Sequence, residues 1–136
     1  MVLTELIRDI PSVSIEGDAS RDIRTIEYDS RKVVSGSLFM AIRGRKTDGN
    51  IFISDAVTRG AAAVLTDEPA TGAAQTGAIA VVRVPDARKA MALIADRFYR
   101  SPQESLIMTG ITGTNGKTTV SYMVRSIFET AGIGCG

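Results

Sequence analysis

The chain has 136 residues, with 16 Lys and Arg against 15 Asp and Glu, so its formal net charge is +1. A balance this even provides no global field for a polyanion, and an aromatic content of 5% without Trp leaves little to stack on bases, so nucleic acid is not an expected partner. A hydrophobic fraction of 44% with 23% charged residues is typical of a folded globular protein rather than of a disordered or coiled-coil chain.

Two residue types that carry much enzyme chemistry are scarce. The chain has no His, and its single Cys, Cys135, is next to the last residue. Triads that depend on His, zinc sites of Cys and His, and disulfide frameworks are therefore excluded. No apolar run reaches the roughly 20 residues that span a bilayer, and the charged start does not resemble a signal peptide. We therefore expect no membrane partner and a cytoplasmic location.

The first hundred residues alternate helical and strand-like segments, which predicts an α/β domain. Helical spacing of apolar residues predicts a short helix before Pro11 and helices over 51–59 and 87–99. Short apolar or β-branched runs predict strands over residues 22–28, 38–42, 61–65 and 79–84. The stretch 69–77, of Ala, Thr and Gly, has no apolar anchor and is predicted to be a surface loop.

The best candidate for a domain boundary is the segment Ser101–Glu104, because a different motif organises the residues after it. We predict one domain over residues 1–103 and the start of a second over 104–136. The apolar run 105–109 predicts the first strand of this second domain, and Val120–Thr130 predicts a helix.

Between that strand and that helix lies a Gly-rich segment, Gly110–Thr119. A strand that leads into a Gly-rich loop and then a helix is the context of a phosphate-binding loop. The glycines let backbone N–H groups point inward, and the helix N-terminus adds a partial positive charge. Lys117 would reach the outer phosphates, and the hydroxyl of Thr118 would be a ligand of Mg²⁺.

The strict patterns for nucleotide loops are not met. Gly116 lies six positions after Gly110 rather than five, and the glycines at 110, 113 and 116 are spaced by three, which the dinucleotide pattern G-x-G-x-x-G does not allow. The alternative is a Gly-rich turn with a solvated Lys117. Gly-Lys-Thr-Thr at a helix start after an apolar strand favours the phosphate site.

The segment Thr112–Thr119 resembles the ATP loop of the Mur ligase family, whose members have this shortened glycine pattern. The resemblance extends from about Ile23 to the end of the chain. Its upstream parts are Tyr28–Arg31, Gly36–Gly44, Asp48–Gly49 with Phe52–Ile53, Gly60–Val64, and Phe98–Tyr99 with Pro102. It implies a small N-terminal UDP-binding domain with a mixed sheet, followed by the first strand, loop and helix of a P-loop ATPase domain.

The resemblance also implies an activity, that of an ATP-dependent amide ligase of peptidoglycan precursor synthesis. In that family the carboxylate of UDP-MurNAc-L-Ala-D-Glu is phosphorylated to an acyl phosphate, which the amine of a diamino acid, diaminopimelate or lysine, then attacks. Lys117 would be the catalytic residue that stabilises charge on the transferred group, and Thr118 would bind Mg²⁺. The implied ATP contacts are Gly113, Thr114, Asn115, Gly116, Lys117, Thr118 and Thr119.

For the UDP end of the substrate, the resemblance implies two groups of contacts. Tyr28 and Ser30 would contact the uracil, and Arg45, Lys46 and Thr47 would form a second contact to the uridine diphosphate. The alternatives are an Asp/Ser turn that closes the first strand, and a solvated basic turn. At Asn50-Ile51, where relatives often have His-Asp, no role is assigned.

Several alternatives stay open. Within the family, the upstream part resembles most the ligases that add the diamino acid, and the ligases that add the terminal dipeptide are the second choice. A non-catalytic UDP-binding module and an unrelated P-loop protein, such as a small kinase or GTPase, are rivals of other classes. Because the chain ends soon after Lys117, we predict that it has no ligase activity alone.

Overall fold

The computed structural model describes residues 1–44, 47–69 and 79–136. The described chain divides into two compact units, Met1–Pro102 and Gln103–Gly136, and each is treated by itself. The assignment of substrate binding to residues 1–103 and of ATP binding to 104–136 stays a prediction. Arg45, Lys46 and most of the predicted surface loop over 69–77 lie outside the described residues.

A five-stranded mixed sheet forms the first unit, in the order β1-β5-β4-β3-β2. Strands β2, β3, β4 and β5 are parallel to one another, and β1 pairs antiparallel with β5 at one side of the sheet. The strands are β1 (Ser14–Glu16), β2 (Thr25–Glu27), β3 (Ser37–Met40), β4 (Ala63–Thr66) and β5 (Ala80–Arg83). The predicted α/β class with a mixed sheet is confirmed, whereas β1 was not predicted.

Among the described residues, three α-helices belong to the first unit and one to the second. They are α1 (Leu3–Leu6), α2 (Ile53–Thr58), α3 (Ala87–Phe98) and α4 (Lys117–Thr130). The three helices predicted in the first unit are therefore confirmed, with α2 preceded by a 3₁₀ turn over Gly49–Phe52. Within the described part of the chain, every helix is too short or too polar to cross a bilayer.

Apolar side chains cover both faces of the sheet, because successive strand residues point to opposite faces. Leu38, Leu65 and Val82 lie in a core cluster with residues of α1 and α3. Their neighbours along the strands, Phe39, Val64 and Val81, lie in a second cluster with residues of α2. Strands that are buried on both faces read as continuous apolar runs, which is why the sequence predicts β3, β4 and β5 well.

The second unit differs from the prediction at its start. The strand predicted over 105–109 is not formed: the segment has a 3₁₀ turn over Pro102–Ser105, and no strand follows it among the described residues. The side chain of Ile107 is 93% exposed, and that of Met108 is 73% exposed. An apolar run becomes a strand only where another strand accepts its backbone hydrogen bonds. Helix α4 begins at Lys117, three residues before the predicted Val120, directly after Gly116.

Candidate functional site

Two of the predicted UDP-contacting segments follow neighbouring strands of the first unit. Tyr28 comes directly after β2, Ser30 lies two residues further, and Thr47 lies in the loop after β3. Because β2 and β3 are parallel neighbours, with Ile26 opposite Leu38, their carboxyl ends meet at one edge of the sheet. Open α/β sheets bind ligands at that edge. The fold therefore brings these loops together, while the predicted contacts Arg45 and Lys46 lie outside the described residues.

A capped turn places Ser30. The carboxylate of Asp29 accepts hydrogen bonds from the backbone N–H of Arg31 at 3.1 Å and from the Arg31 guanidinium at 2.9 and 2.7 Å. The side-chain hydrogen bonds from Arg31 lower the pKa of Asp29 to about 2. Asp29 thus caps the 3₁₀ turn over Ser30–Lys32. The Asp/Ser turn considered as an alternative is present, and it is also what orients Ser30.

The turn that contains Ser30 packs against α2. Ser30 is buried, and its side chain is the largest cause that lowers the pKa of the Asp55 carboxylate. Asp55 also accepts a hydrogen bond from Nε of Arg59 at 2.9 Å. A serine hydroxyl can both donate and accept hydrogen bonds, so Ser30 can offer a ligand either one. The side chain of Tyr28 is 72% exposed and can offer its ring face.

Backbone hydrogen bonds shape the loop after β3. The N–H of Gly44 donates to the carbonyl of Thr47 at 2.9 Å, and the N–H of Gly49 donates to the carbonyl of Ile42 at 3.0 Å. A Cβ at Gly49 would lie 2.6 Å from the Ile42 oxygen, so this close approach requires glycine. Thr47 is exposed on this loop. Its hydroxyl and backbone N–H are thus placed at the carboxyl edge.

Sequence reasoning missed a group of polar side chains around this loop. They are Arg43, Asp48, Asn50, Thr66 and Glu68, joined by hydrogen bonds and ion pairs. Hydrogen bonds from the backbone and the side chain of Asn50 lower the pKa of Asp48. The sequence signal that could have found the group is the polar residue at the end of each apolar strand run, since those ends meet at the ligand-binding edge.

The Gly-rich loop of the second unit leads directly into α4. Gly113 and Gly116 have φ of +150° and +77°, which favour glycine. The first helical hydrogen bond runs from Val120 N–H to the Gly116 carbonyl at 2.9 Å, so the N–H groups of residues 117–119 precede the helical ladder. Nζ of Lys117 donates to the Gly113 carbonyl at 2.6 Å and approaches the Thr114 carbonyl at 3.4 Å. The ammonium therefore lies over the loop.

These groups fit the phosphates of a nucleotide. An ammonium group, backbone N–H groups before the helical ladder and the positive end of a 14-residue helix converge at the start of α4. Thr118, in the first turn, supplies a hydroxyl oxygen of the kind that binds Mg²⁺ beside phosphates. Within the described residues, no cluster of three or more acidic, Cys or His side chains could hold a metal ion.

Comparison with known proteins identifies the family. The model described as "Mur ligase family, catalytic domain" matches residues 22–99, which is more than half of the chain and includes the carboxyl-edge loops. The chain belongs to the Mur ligase family. The resemblance drawn from the Gly-rich loop and the upstream segments is confirmed. Mur ligases are ATP-dependent enzymes.

The relatives of this Mur ligase chain are much longer proteins. A UDP-N-acetylmuramoyl-L-alanyl-D-glutamate–2,6-diaminopimelate ligase of Caldanaerobacter subterraneus subsp. tengcongensis is 44% identical over 129 residues, which are 95% of this chain and 26% of that protein. The chain thus spans about a quarter of the length of the relative it matches.

Two solved structures share the fold. A UDP-N-acetylmuramoyl-L-alanyl-D-glutamate–2,6-diaminopimelate ligase superposes with a TM-score of 0.68 at 24% identity, over 96% of this chain and 26% of that chain. The MurF ligase of Thermotoga maritima, determined in complex with ADP, superposes with a TM-score of 0.58 at 25% identity, over 79% of this chain and 23% of that chain. The chain therefore has the fold of known Mur ligases.

Proposed function

We propose that this Mur ligase chain is the substrate-anchoring and phosphate-binding part of an ATP-dependent ligase that adds a diamino acid to UDP-MurNAc-L-Ala-D-Glu in the cytoplasm. The observation that carries the proposal is the 44% identity, over 95% of the chain, to a relative that is named a 2,6-diaminopimelate ligase. That name also favours diaminopimelate over lysine as the diamino acid. The polar loops after β2 and β3 suit the anchoring of the substrate, and the Gly-rich loop before α4 suits the binding of phosphates.

The uracil would bind beside the turn after β2. Uracil N3–H is a hydrogen-bond donor, and the hydroxyl oxygen of Ser30 is a matching acceptor. The exposed ring of Tyr28 can pack against the base. Thr47 would donate to the diphosphate from its loop, and Arg45 and Lys46 would supply positive charge there.

The Gly-rich loop would hold the phosphates of ATP. Its backbone N–H groups donate to phosphate oxygens, and Lys117 would leave the Gly113 and Thr114 carbonyls to stabilise the charge that develops on the transferred phosphoryl group. The remaining contacts in the proposal are Gly113, Thr114, Asn115, Gly116, Thr118 and Thr119. A bound Mg²⁺, with Thr118 as a ligand, would neutralise phosphate charge. The carboxylate of D-Glu takes the γ-phosphoryl group and ADP leaves. The amine then displaces phosphate from the acyl carbon.

Calorimetric titration of the chain with UDP-MurNAc-L-Ala-D-Glu and, separately, with ATP tests the proposal. We expect measurable binding of the UDP-linked substrate, weak binding of ATP, and no ligase activity of the chain alone. The reverse order of the two affinities would contradict the proposal and favour a P-loop protein of another class.

A single-residue variant then tests the uracil contact. Ser30→Ala should weaken binding of the UDP-linked substrate by about threefold to tenfold, because one hydrogen bond is lost. Ser20→Ala is the matched control, since it removes an exposed hydroxyl whose partner is Asp18 at 2.6 Å. Equal affinities of the two variants would show that Ser30 does not contact the ligand.

A second candidate function is the addition of the terminal dipeptide. The observation that favours it is the superposition on the MurF ligase of Thermotoga maritima over 79% of the chain. Ligase assays distinguish the two, with UDP-MurNAc-dipeptide plus diaminopimelate in one and UDP-MurNAc-tripeptide plus D-Ala-D-Ala in the other. For a protein that contains this chain and is active, we expect product only in the first assay.

A further inference from the structure

Asn50 joins the loop after β3 to the end of β4. It lies in the 3₁₀ turn over Gly49–Phe52, and its carboxamide bonds in two directions. Nδ2 donates to Oδ1 of Asp48 at 2.8 Å, and Oδ1 accepts a hydrogen bond from Oγ1 of Thr66 at 2.7 Å. The side chain therefore connects two segments that are 16 residues apart in sequence.

Thr66 is the buried half of this connection. It is the last residue of β4, it is 1% exposed, and it is one of three buried polar residues in the described chain. Its hydroxyl donates to Asn50 and accepts a hydrogen bond from the N–H of Glu68 at 3.0 Å. The hydroxyl thus acts as a donor and as an acceptor. Its removal would leave the Asn50 carboxamide oxygen and the Glu68 N–H without this partner, which is costly for partly buried groups.

The ion pairs around the loop are weaker than the Thr66–Asn50 hydrogen bond. Nε of Arg43 lies 3.4 Å from Asp48, and the Arg43 guanidinium also pairs with Glu68. These side chains are 62%, 35% and 42% exposed respectively, and exposed ion pairs contribute little because water and salt screen them. Among the side-chain contacts that tie this loop to β4, the Thr66–Asn50 hydrogen bond, whose donor is 1% exposed, is therefore stronger than the Arg43–Glu68 ion pair.

We propose that Asn50 and Thr66 are positioning residues that hold the turn from Thr47 to Asn50 in the conformation that binds the diphosphate end of the UDP-linked substrate. The inference rests on the proposed function, because Thr47 is its ligand contact. A loop that is already fixed before binding loses less conformational freedom when the ligand arrives, so the anchor raises affinity without a direct contact. It also gives a role to Asn50, a position to which the sequence assigned none.

The test distinguishes the contribution of the Thr66 hydroxyl to ligand binding from the contribution of the side chain's shape. Thr66→Val keeps the shape and removes the hydroxyl, and Thr66→Ser keeps the hydroxyl and removes a methyl group. We expect Thr66→Val to weaken binding of UDP-MurNAc-L-Ala-D-Glu about fivefold to tenfold, and Thr66→Ser to stay within about twofold of the wild type. Thr58→Val is the control, since Thr58 is exposed on α2 and its hydroxyl donates within its own helix, to the Ser54 carbonyl. A weaker affinity for Thr66→Ser than for Thr66→Val would indicate packing and overturn the proposal.

A second measurement needs no ligand. Hydrogen exchange of the Gly44 and Gly49 amides reports the two backbone bonds that shape the loop, and the Gly60 amide, bonded to Val57 at 3.0 Å, is the reference. Asn50→Ala should raise exchange at Gly44 and Gly49 about tenfold and leave Gly60 unchanged. Equal acceleration at all three amides would mean general destabilisation, and no acceleration would mean no anchoring, so either result overturns the proposal.

The binding and hydrogen-exchange measurements distinguish failure of the proposed function from failure of the positioning role. If the wild-type chain does not bind the UDP-linked substrate, the proposed function fails, and the ligand-binding half of this inference fails with it. If the wild type binds and Thr66→Val binds equally well, the proposed function stands and only the positioning role is wrong. Asn50→Asp is the confirming variant, because its new oxygen faces Oδ1 of Asp48 and should weaken binding at neutral pH more than Asn50→Ala does.

Discussion

The two units of the chain use apolar residues in opposite ways. In the first unit, the strand residues Leu38, Phe39, Val64 and Leu65 have no exposed surface. In the second unit, Leu106, Ile107 and Met108 are exposed, and α4 has no buried residue. The same kind of apolar run thus gives a strand in one unit and none in the other.

This difference shows what an apolar run can and cannot specify. A run of four or five apolar residues specifies that the segment is buried when a partner is present, but it does not supply that partner. In the first unit, β3 lies between β2 and β4, and β4 lies between β3 and β5. The described residues of the second unit contain no strand, so residues 105–109 have no strand partner within that unit. The local features of that unit, its glycine conformations and its helix start, nevertheless form.

The largest expected effect comes from truncating one large aliphatic side chain in each kind of environment. Leu65→Ala removes a fully buried side chain of β4 and should lower the free energy of unfolding by about 2–5 kcal/mol. Ile107→Ala, the matched change in the second unit, removes a side chain that is 93% exposed and should change it by less than about 0.5 kcal/mol. Urea denaturation monitored by circular dichroism measures both. Similar losses would show that the second unit buries Ile107 in solution.

How much of the site the sequence predicts depends on whether its contacts are local. The conformation of the Gly-rich loop is predictable because its glycines, Lys117 and the start of α4 are contiguous. The bond between Thr66 and Asn50 is not, because it joins residues 16 apart that only the sheet brings together. Strand β1 is missed for a related reason: its three residues are all exposed, and it forms by pairing with β5 rather than by burial.

A second contrast concerns the space around two glycines, Gly49 in the first unit and Gly110 in the second. Gly49→Ala would place a Cβ 2.6 Å from the Ile42 oxygen and should cost about 1–3 kcal/mol of unfolding free energy. A Cβ at residue 110 would have no atom within 4 Å. Gly110→Ala should therefore leave the free energy of unfolding unchanged or raise it by up to about 1 kcal/mol, since alanine restricts the unfolded chain. Thermal denaturation of the two variants compares them. A stable Gly49→Ala variant would mean that the loop after β3 can move away from Ile42.

The smallest expected effect is electrostatic and concerns the turn that orients Ser30. Hydrogen bonds from Arg31 hold the pKa of Asp29 at about 2, below the value of about 3.9 expected in the unfolded chain. A lowered pKa in the folded state means that the charged carboxylate stabilises the turn above about pH 4, and that this contribution disappears as the pH falls from 4 to 2. Asp29→Asn keeps a capping side chain but has no charge. The difference in melting temperature between the wild type and this variant should therefore shrink as the pH is lowered from 5 to about 2. A difference that stays constant would show that the charge of Asp29 does not stabilise the turn.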